Sequence, residues 1–115
     1  MSYVTGFLTP VPAANKQAYI EAARDGWALF KRYGALSMTE TWGEDVPDGK
    51  VTSFPLAVKK KDDEIVVFSW LVWPDRATAD KAWKDMMDDP AMKDMKMPFD
   101  GKRMMWGGFT PIFES

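Results

Sequence analysis

The sequence predicts an α+β domain of the ferredoxin-like type, in which an antiparallel sheet carries two helices on one face. Two amphipathic helical stretches alternate with strand-like stretches in the order strand, helix, strand, strand, helix, strand. Right-handed crossovers then place both helices on the same side of the sheet. The hydrophobic fraction of 46% and the aromatic fraction of 14% indicate a packed core. The length of 115 residues fits one domain spanning residues 1–115.

The first strand and the first helix follow directly from local patterns. Tyr3–Thr9 alternates loosely between apolar and polar residues, and Pro10 and Pro12 are expected to end the strand. Asn15 is expected to cap the helix that follows, and Gly34 is a typical helix stop. The helix has a single apolar stripe, formed by Ile20, Ala23, Trp27 and Phe30.

The second strand contains the candidate catalytic residue. Ala35–Trp42 alternates strictly, and one carboxylate, that of Glu40, falls on its apolar face. Desolvation there would raise the pKa of Glu40, which suits a general acid or base near neutral pH. Alternatively, Glu40 pairs with Arg103 or a lysine, or a local bulge turns it towards water. The apolar face comprises Leu36, Met38, Glu40 and Trp42.

The centre of the chain predicts an antiparallel hairpin. Val51–Lys59 and Ile65–Trp73 flank a turn of three lysines and three acidic residues, which is typical of solvent rather than of a phosphate site. Ile65–Trp73 is apolar on both faces, so both sides of this strand are expected to be covered. The protein's own helices can cover one side. We expect a second copy of the chain to cover the other, which gives a homodimer through the sheet face.

The last part of the chain predicts a second helix and a final strand. Pro74 ends the preceding strand and Asp75 caps the helix. Asp89 and Pro90 then open a short additional turn, and Arg103–Phe113 forms the last strand. The buried stripe of the second helix comprises Ala79, Ala82 or Trp83, and Met86.

The composition excludes several classes of function. The chain contains no cysteine and no histidine, so thiolate chemistry, disulfides and histidine-ligated metal or haem are absent. No metal site and no cofactor are expected. The net charge of −2 argues against nucleic-acid binding, and Ile65–Trp73 lacks the basic and glycine residues of an RNA-recognition strand. No signal peptide or membrane span is evident, so a cytoplasmic protein without membrane contact is expected.

Two Asp-Gly-Lys sequences suggest a binding site. Asp-Gly is a favourable turn pair, so the simplest interpretation is two ordinary turns. Alternatively, both loops converge at one end of the sheet and bind a small anion or carboxylate. The ligand-binding candidates are Asp45, Asp48, Lys50, Asp100, Lys102 and Arg103.

Aromatic and methionine residues are unusually frequent, with six tryptophans and nine methionines. Trp42 and Trp106 lie on predicted strands, where they either line a pocket between sheet and helix or fill the dimer barrel. Methionine adapts to irregular shapes and is compatible with an apolar ligand pocket.

Several short motifs resemble those of the YbaA-like family of uncharacterised small bacterial proteins, over nearly the whole chain. This resemblance implies a ferredoxin-like fold and a homodimer of the dimeric α/β-barrel group, and it implies no activity. The matching stretches are Tyr3–Phe7, Asp45–Ser53, Val66–Trp70, Met97–Met104 and Gly107–Phe109.

The expected function is that of a cytoplasmic homodimer that binds a small anionic or aromatic molecule in a sheet–helix pocket. The alternative is a cofactor-independent enzyme of the monooxygenase or isomerase type, by analogy with dimeric α/β barrels. A protein that acts only as an interaction partner is a further alternative, which an exposed apolar patch would favour.

Overall fold

The computed structural model describes residues 2–115 and confirms the ferredoxin-like arrangement. One antiparallel sheet has the strand order β2-β3-β1-β4. Its strands are β1 (Tyr3–Pro12), β2 (Ser37–Glu40), β3 (Glu64–Trp73) and β4 (Met105–Phe109). The helices are α1 (Lys16–Arg32), α2 (Phe54–Ala57), α3 (Arg76–Met86) and α4 (Pro90–Lys93), with 3-10 turns at Ala13–Asn15 and Gly101–Arg103.

One face of the sheet packs against α1 and α3, as predicted. Leu71 and Trp73 of β3 are fully buried there, together with Leu29 of α1 and Met86 of α3. Each such side chain contributes about 1.5–3 kcal/mol to the free energy of unfolding through burial. The Trp73 indole N–H donates a 3.0 Å hydrogen bond to the Thr5 hydroxyl, which satisfies the polar atoms of both residues inside this core.

The predicted strand Val51–Lys59 is wrong, because this segment forms helix α2 and lies outside the sheet. The Ser53 side chain caps α2 by accepting a 3.1 Å hydrogen bond from the Leu56 N–H. Pro55 fits the first turn of a helix, whereas in a strand it could not donate to the ladder. The strand that pairs with β3 at this edge is instead β2.

Other predicted boundaries shift by a few residues. β1 continues through Pro10 and Pro12, although proline has no backbone N–H to donate. This is possible because β4 pairs with β1 only as far as Leu8, so beyond Leu8 this side of β1 has no partner strand. Asn15 does not cap α1 with its side chain; its amide donates a 2.9 Å hydrogen bond to the Pro98 carbonyl. The final strand spans only five residues and begins after the turn that contains Arg103.

The face of the sheet opposite the helices, which we call the open face, is apolar and mostly uncovered. α2 reaches one end of it through Phe54, whose ring centre lies 6.1 Å from that of Phe68. Phe68, Met105 and Phe109 remain 46–61% exposed on this face. The two-sided apolar character of β3 is therefore real, and only one of its sides is fully buried by the protein's own helices.

Within residues 2–115, no helix is long and apolar enough to span a membrane. The cytoplasmic location stays a prediction.

Candidate functional site

Glu40 lies on the helix-facing side of the sheet, at the end of β2. Its strand pairs with β3 so that Glu40 is opposite Ser69, and Met38 is opposite Leu71 on the same face. Strict alternation therefore placed this carboxylate correctly, and no bulge turns it away. Glu40 is an exposed residue at the sheet edge, and its carboxylate accepts a 2.8 Å hydrogen bond from the Tyr19 hydroxyl of α1.

Three hydroxyl side chains lie at or beside this carboxylate: those of Tyr19 and Ser69 interact with it, and that of Thr9 interacts with the Tyr19 hydroxyl. Tyr19 comes from α1, Thr9 from β1 and Ser69 from β3, and all three are buried. Thr9 and Ser69 are only 1% and 2% exposed, although they face the helices, where an apolar side chain would normally pack. Together with Glu40 they form a polar cluster on four different elements, inside an otherwise apolar layer.

A cavity of about 150 Å³ opens beside the polar cluster, between α1 and the sheet. Its walls are almost entirely apolar, and Glu40 is the one acidic residue among the described residues that line it; no lysine or arginine does. Gly26, in the middle of α1, lines the cavity, and a Cβ there would make ordinary van der Waals contact, at 3.4 Å, with the Met95 and Phe30 side chains.

The outer wall of the cavity is the segment 89–104, which supplies four methionines and a phenylalanine. Asp89 anchors the start of the segment through a 2.6 Å hydrogen bond from the Tyr33 hydroxyl. The Asn15 amide holds its centre at the Pro98 carbonyl. The residues of this segment that line the cavity are Met92, Met95, Met97, Phe99 and Met104.

The environment shifts the acidity of the polar cluster. Desolvation raises the pKa of Glu40 above its usual value, and the hydrogen bond from Tyr19 and the nearby Ser69 hydroxyl only partly oppose this effect. Desolvation and the adjacent Glu40 carboxylate likewise raise the pKa of Tyr19, so its hydroxyl stays protonated and serves as a donor. Since no cation from the described part of the chain pairs with it, this carboxylate is suited to accept a proton or a hydrogen bond from a bound molecule.

Arg103 does not pair with Glu40. Its guanidinium binds both carboxylate oxygens of Glu64 at 2.6 and 2.7 Å, and it also contacts Asp100 at 3.0 Å. A further hydrogen bond, of 3.0 Å, goes to the Lys59 carbonyl. Arg103 thus links the last part of the chain to the start of β3, and its donors are occupied by protein groups.

The two Asp-Gly-Lys sequences adopt different structures. Asp100 caps the 3-10 turn, accepting a 3.1 Å hydrogen bond from the Lys102 N–H, while Asp48 and Lys50 lie in an exposed loop. No hydrogen bond or ion pair among residues 2–115 joins the two loops. The anion site formed by these residues and Asp45 stays a prediction.

The two candidate tryptophans take separate positions. Trp42 packs near the polar cluster, against the buried group that contains Tyr19 and Val67, and Lys16 lies over its ring at 5.6 Å. Trp106 lies on the edge strand β4, with its ring 6.1 Å from that of Trp83 on α3. Neither tryptophan lines the cavity beside Glu40.

Sequence reasoning missed Tyr19, Thr9 and Ser69. The sequence pattern could have indicated two of them. Ser69 is a polar residue within the apolar β3, and the alternation of β1 places Thr9 on the face towards the helices. No such pattern indicates Tyr19, since a tyrosine next to an apolar helix stripe is most often ordinary packing. The part of the chain that the structure describes also contains no cluster of acidic residues able to hold a metal ion.

These features define a ferredoxin-like α+β protein with an apolar cavity and one carboxylate at its polar end. Residues 2–101 match the family described as "Protein of unknown function (DUF1428)", and the chain belongs to that family. It is 52% identical over 116 residues to Uncharacterized protein YbaA of Escherichia coli strain K12, covering 99% of each chain. The YbaA protein of Shigella flexneri matches to the same extent. The resemblance to YbaA-like proteins is confirmed.

Solved structures support the fold. A crystal structure described as a dimeric ferredoxin-like protein from an uncultured marine organism superposes with a TM-score of 0.60 and 11% identity, over 99% of this chain and 98% of that chain. SnoaB, a cofactor-independent oxygenase from Streptomyces nogalater, gives a TM-score of 0.48 and 19% identity, over 98% and 93% of the two chains. The second match is too distant to bear on function.

Proposed function

We propose that this protein binds a small, mainly apolar molecule in the cavity between α1 and the sheet, with Glu40 as its polar anchor. The observation that carries the proposal is the cavity itself, which is apolar except for the cluster of Glu40 and its hydroxyl neighbours. Ligand sites typically combine apolar walls with a few convergent polar groups and a residue of perturbed pKa. An aromatic ligand fits this environment better than an anion, which would meet the Glu40 carboxylate and no cation.

A cofactor-independent enzyme is the second candidate, and the raised pKa of Glu40 favours it. A carboxylate with a raised pKa can take a proton from a bound substrate. Before that transfer, the hydrogen bond from the Tyr19 hydroxyl stabilises the negative charge of the carboxylate. Proton transfer within an apolar cavity would suit an isomerase or the first step of an oxygenase. Turnover would separate this candidate from simple binding.

We further propose that two copies of the chain associate through the open face. Phe68, Met105 and Phe109 are largely exposed there, side by side on β3 and β4 with β1 between them. An apolar sheet face of this kind is rarely left in water by a soluble protein. The ferredoxin-like relative with a TM-score of 0.60 is described as dimeric, which supports a second copy as the occupant of this face.

Native mass spectrometry of gently purified protein tests both proposals. We expect a species of twice the chain mass that retains a small adduct. The matched variants are Ala23→Leu, which fills the cavity from α1, and Ala28→Leu, which adds the same atoms to an exposed position of the same helix.

The adduct should be retained by the wild type and by Ala28→Leu and should be lost from Ala23→Leu. An adduct of equal abundance in all three proteins would place the ligand elsewhere, and its absence from all three would count against a bound small molecule. A species of the single-chain mass would overturn the proposed dimer. The cavity proposal would then be judged only by whether the adduct is retained.

A further inference from the structure

The polar end of the cavity has acceptor capacity that the protein does not use. The Glu40 carboxylate has about four acceptor positions. Among residues 2–115, the Tyr19 hydroxyl donates a hydrogen bond to one oxygen, and the Ser69 hydroxyl lies close enough to lower the pKa of the carboxyl. These two groups leave about two acceptor positions unused. Since Glu40 lines the cavity, a bound molecule can supply a donor to one of these positions.

The charge and the lining of the cavity limit which donor group can bind. An ammonium group would have to give up its hydration inside a cavity whose walls are apolar apart from the polar cluster, and burying a charge there is costly. A carboxylate ligand would place a second negative charge beside Glu40, and no lysine or arginine lines the cavity to offset it. A hydroxyl group brings one donor, and hydrogen bonds from a hydroxyl to a carboxylate are among the strong ones.

The shape and lining of the cavity indicate the rest of the molecule. Its volume of about 150 Å³ is close to that of an engineered apolar cavity that binds benzene. Phe7, Phe30 and Trp83 line the wall, together with the methionines of the segment 89–104. Aromatic rings and thioether sulfurs both pack favourably against an aromatic ligand.

We infer that the ligand is an uncharged single-ring aromatic alcohol, of the phenol class, whose hydroxyl donates a hydrogen bond to the Glu40 carboxylate while its ring occupies the apolar part of the cavity. This inference rests on the proposed function and names the chemical class that the site selects. It also gives Glu40 a defined role as the specificity-determining acceptor.

Binding of phenol, toluene and benzoate, followed by NMR titration at pH 8, tests the inference. Each of the three molecules contains one aromatic ring. Phenol carries a neutral hydrogen-bond donor, toluene has no polar group, and benzoate is an anion. Since a hydrogen bond to a charged group is worth about a tenfold or greater change in affinity, phenol should bind at least about tenfold more tightly than toluene. Benzoate should not bind in the cavity.

Variants of Glu40 separate the anchor from the cavity. Glu40→Leu should remove the preference for phenol, so that toluene binds as tightly as phenol or more tightly, whereas Glu40→Gln keeps a carbonyl acceptor and part of the preference. Glu44→Leu removes the same charge from an exposed loop and should leave the preference unchanged.

A pH series on the wild type gives a second measurement that needs no variant. Tyr19 and Ser69 face Glu40 from α1 and β3, with Thr9 of β1 beside Tyr19, and the pKa of Tyr19 is raised, so Glu40 is the first group in this cluster to ionise as pH rises. Phenol affinity should fall as Glu40 becomes protonated, and toluene affinity should not change.

The outcomes distinguish the two levels of the proposal. If neither phenol nor toluene binds, the proposed function fails together with the inference. If both bind equally in the wild type and Glu40→Leu changes nothing, the cavity is a ligand site but the phenol class is wrong. Tightest binding of benzoate would also overturn the inference and would favour an anionic ligand.

Discussion

Two partly desolvated glutamates in this protein have opposite acidities, and their neighbours explain the difference. Glu64, at the start of β3, is 4% exposed, and the Arg103 guanidinium binds both of its oxygens. That pairing outweighs burial and lowers the pKa of Glu64. Glu40 has hydroxyl neighbours and, among residues 2–115, no cation paired with it, so desolvation prevails and its pKa is raised.

The comparison teaches which carboxylate is available for function. Glu64 also accepts a 2.7 Å hydrogen bond from the Lys61 N–H, so its acceptor positions are taken up by the protein. Its contribution is to fix the C-terminal part of the chain against β3. Glu40 borders a cavity and retains acceptor capacity, which is the condition for binding a ligand or taking its proton.

Arg103→Ala should have the largest effect on stability. It leaves the buried Glu64 carboxylate without its cation, and breaking a buried ion pair in this way costs about 3–5 kcal/mol. Urea denaturation at pH 7 measures the loss, with Lys102→Ala as the exposed control, for which a change within about 0.5 kcal/mol is expected.

The same variant should change the acid side of the stability profile. Because the pKa of Glu64 is lowered in the folded state, its stabilisation is present above its unfolded value and is lost as pH falls through the folded value. Wild type should therefore lose more stability on acidification than Arg103→Ala. If Arg103→Ala loses less than about 1 kcal/mol at pH 7, water replaces Arg103 as the partner of Glu64, and the ion pair does not stabilise the link between the last part of the chain and β3.

Tyr19→Phe should have an intermediate effect, on the other side of the comparison. It removes one hydrogen bond of about 1 kcal/mol and leaves the packing of the ring intact. Because the Tyr19 hydroxyl lowers the pKa of Glu40, its removal should raise that pKa further. Carbon-detected NMR titration of the Glu40 carboxyl measures the shift, and an unchanged or lower pKa would mean that the hydrogen bond does not control Glu40.

Glu40→Gln should have the smallest effect, and its sign is the informative part. The raised pKa of Glu40 means that wild type loses stability as pH rises from the unfolded value through the folded one. Glutamine does not ionise, so Glu40→Gln should gain in stability relative to wild type as pH rises through the ionisation range of Glu40. Urea denaturation across this range measures the difference, and a variant that becomes relatively less stable with rising pH would contradict the assignment.

Much of the fold could be predicted because its signals are local. The Asp75 cap of α3 and the alternation of β2 each follow from neighbouring residues, and the structure confirms them. The predicted stripe of α1 is only partly right, because Ile20 is exposed and the buried residues of the helix are Tyr19, Gly26 and Leu29. The prediction of a strand at Val51–Lys59 was wrong because it relied on the β-like composition of this segment. Ser53 and Pro55 are signals of a helix start, and the structure forms α2 there. Alternation around Glu40 gave its face correctly.

The candidate site was only partly readable. The sequence by itself determined the apolar stripe of α3, the cap of that helix and the one carboxylate that faces inward, since these depend on residue spacing of two or of three to four. Only the tertiary structure decided that Tyr19 and Ser69 meet that carboxylate, and that Arg103 binds Glu64 instead. These partners lie 21 to 39 residues apart along the chain, and the distance between them in space is set by how α1 and the last turn pack on the sheet.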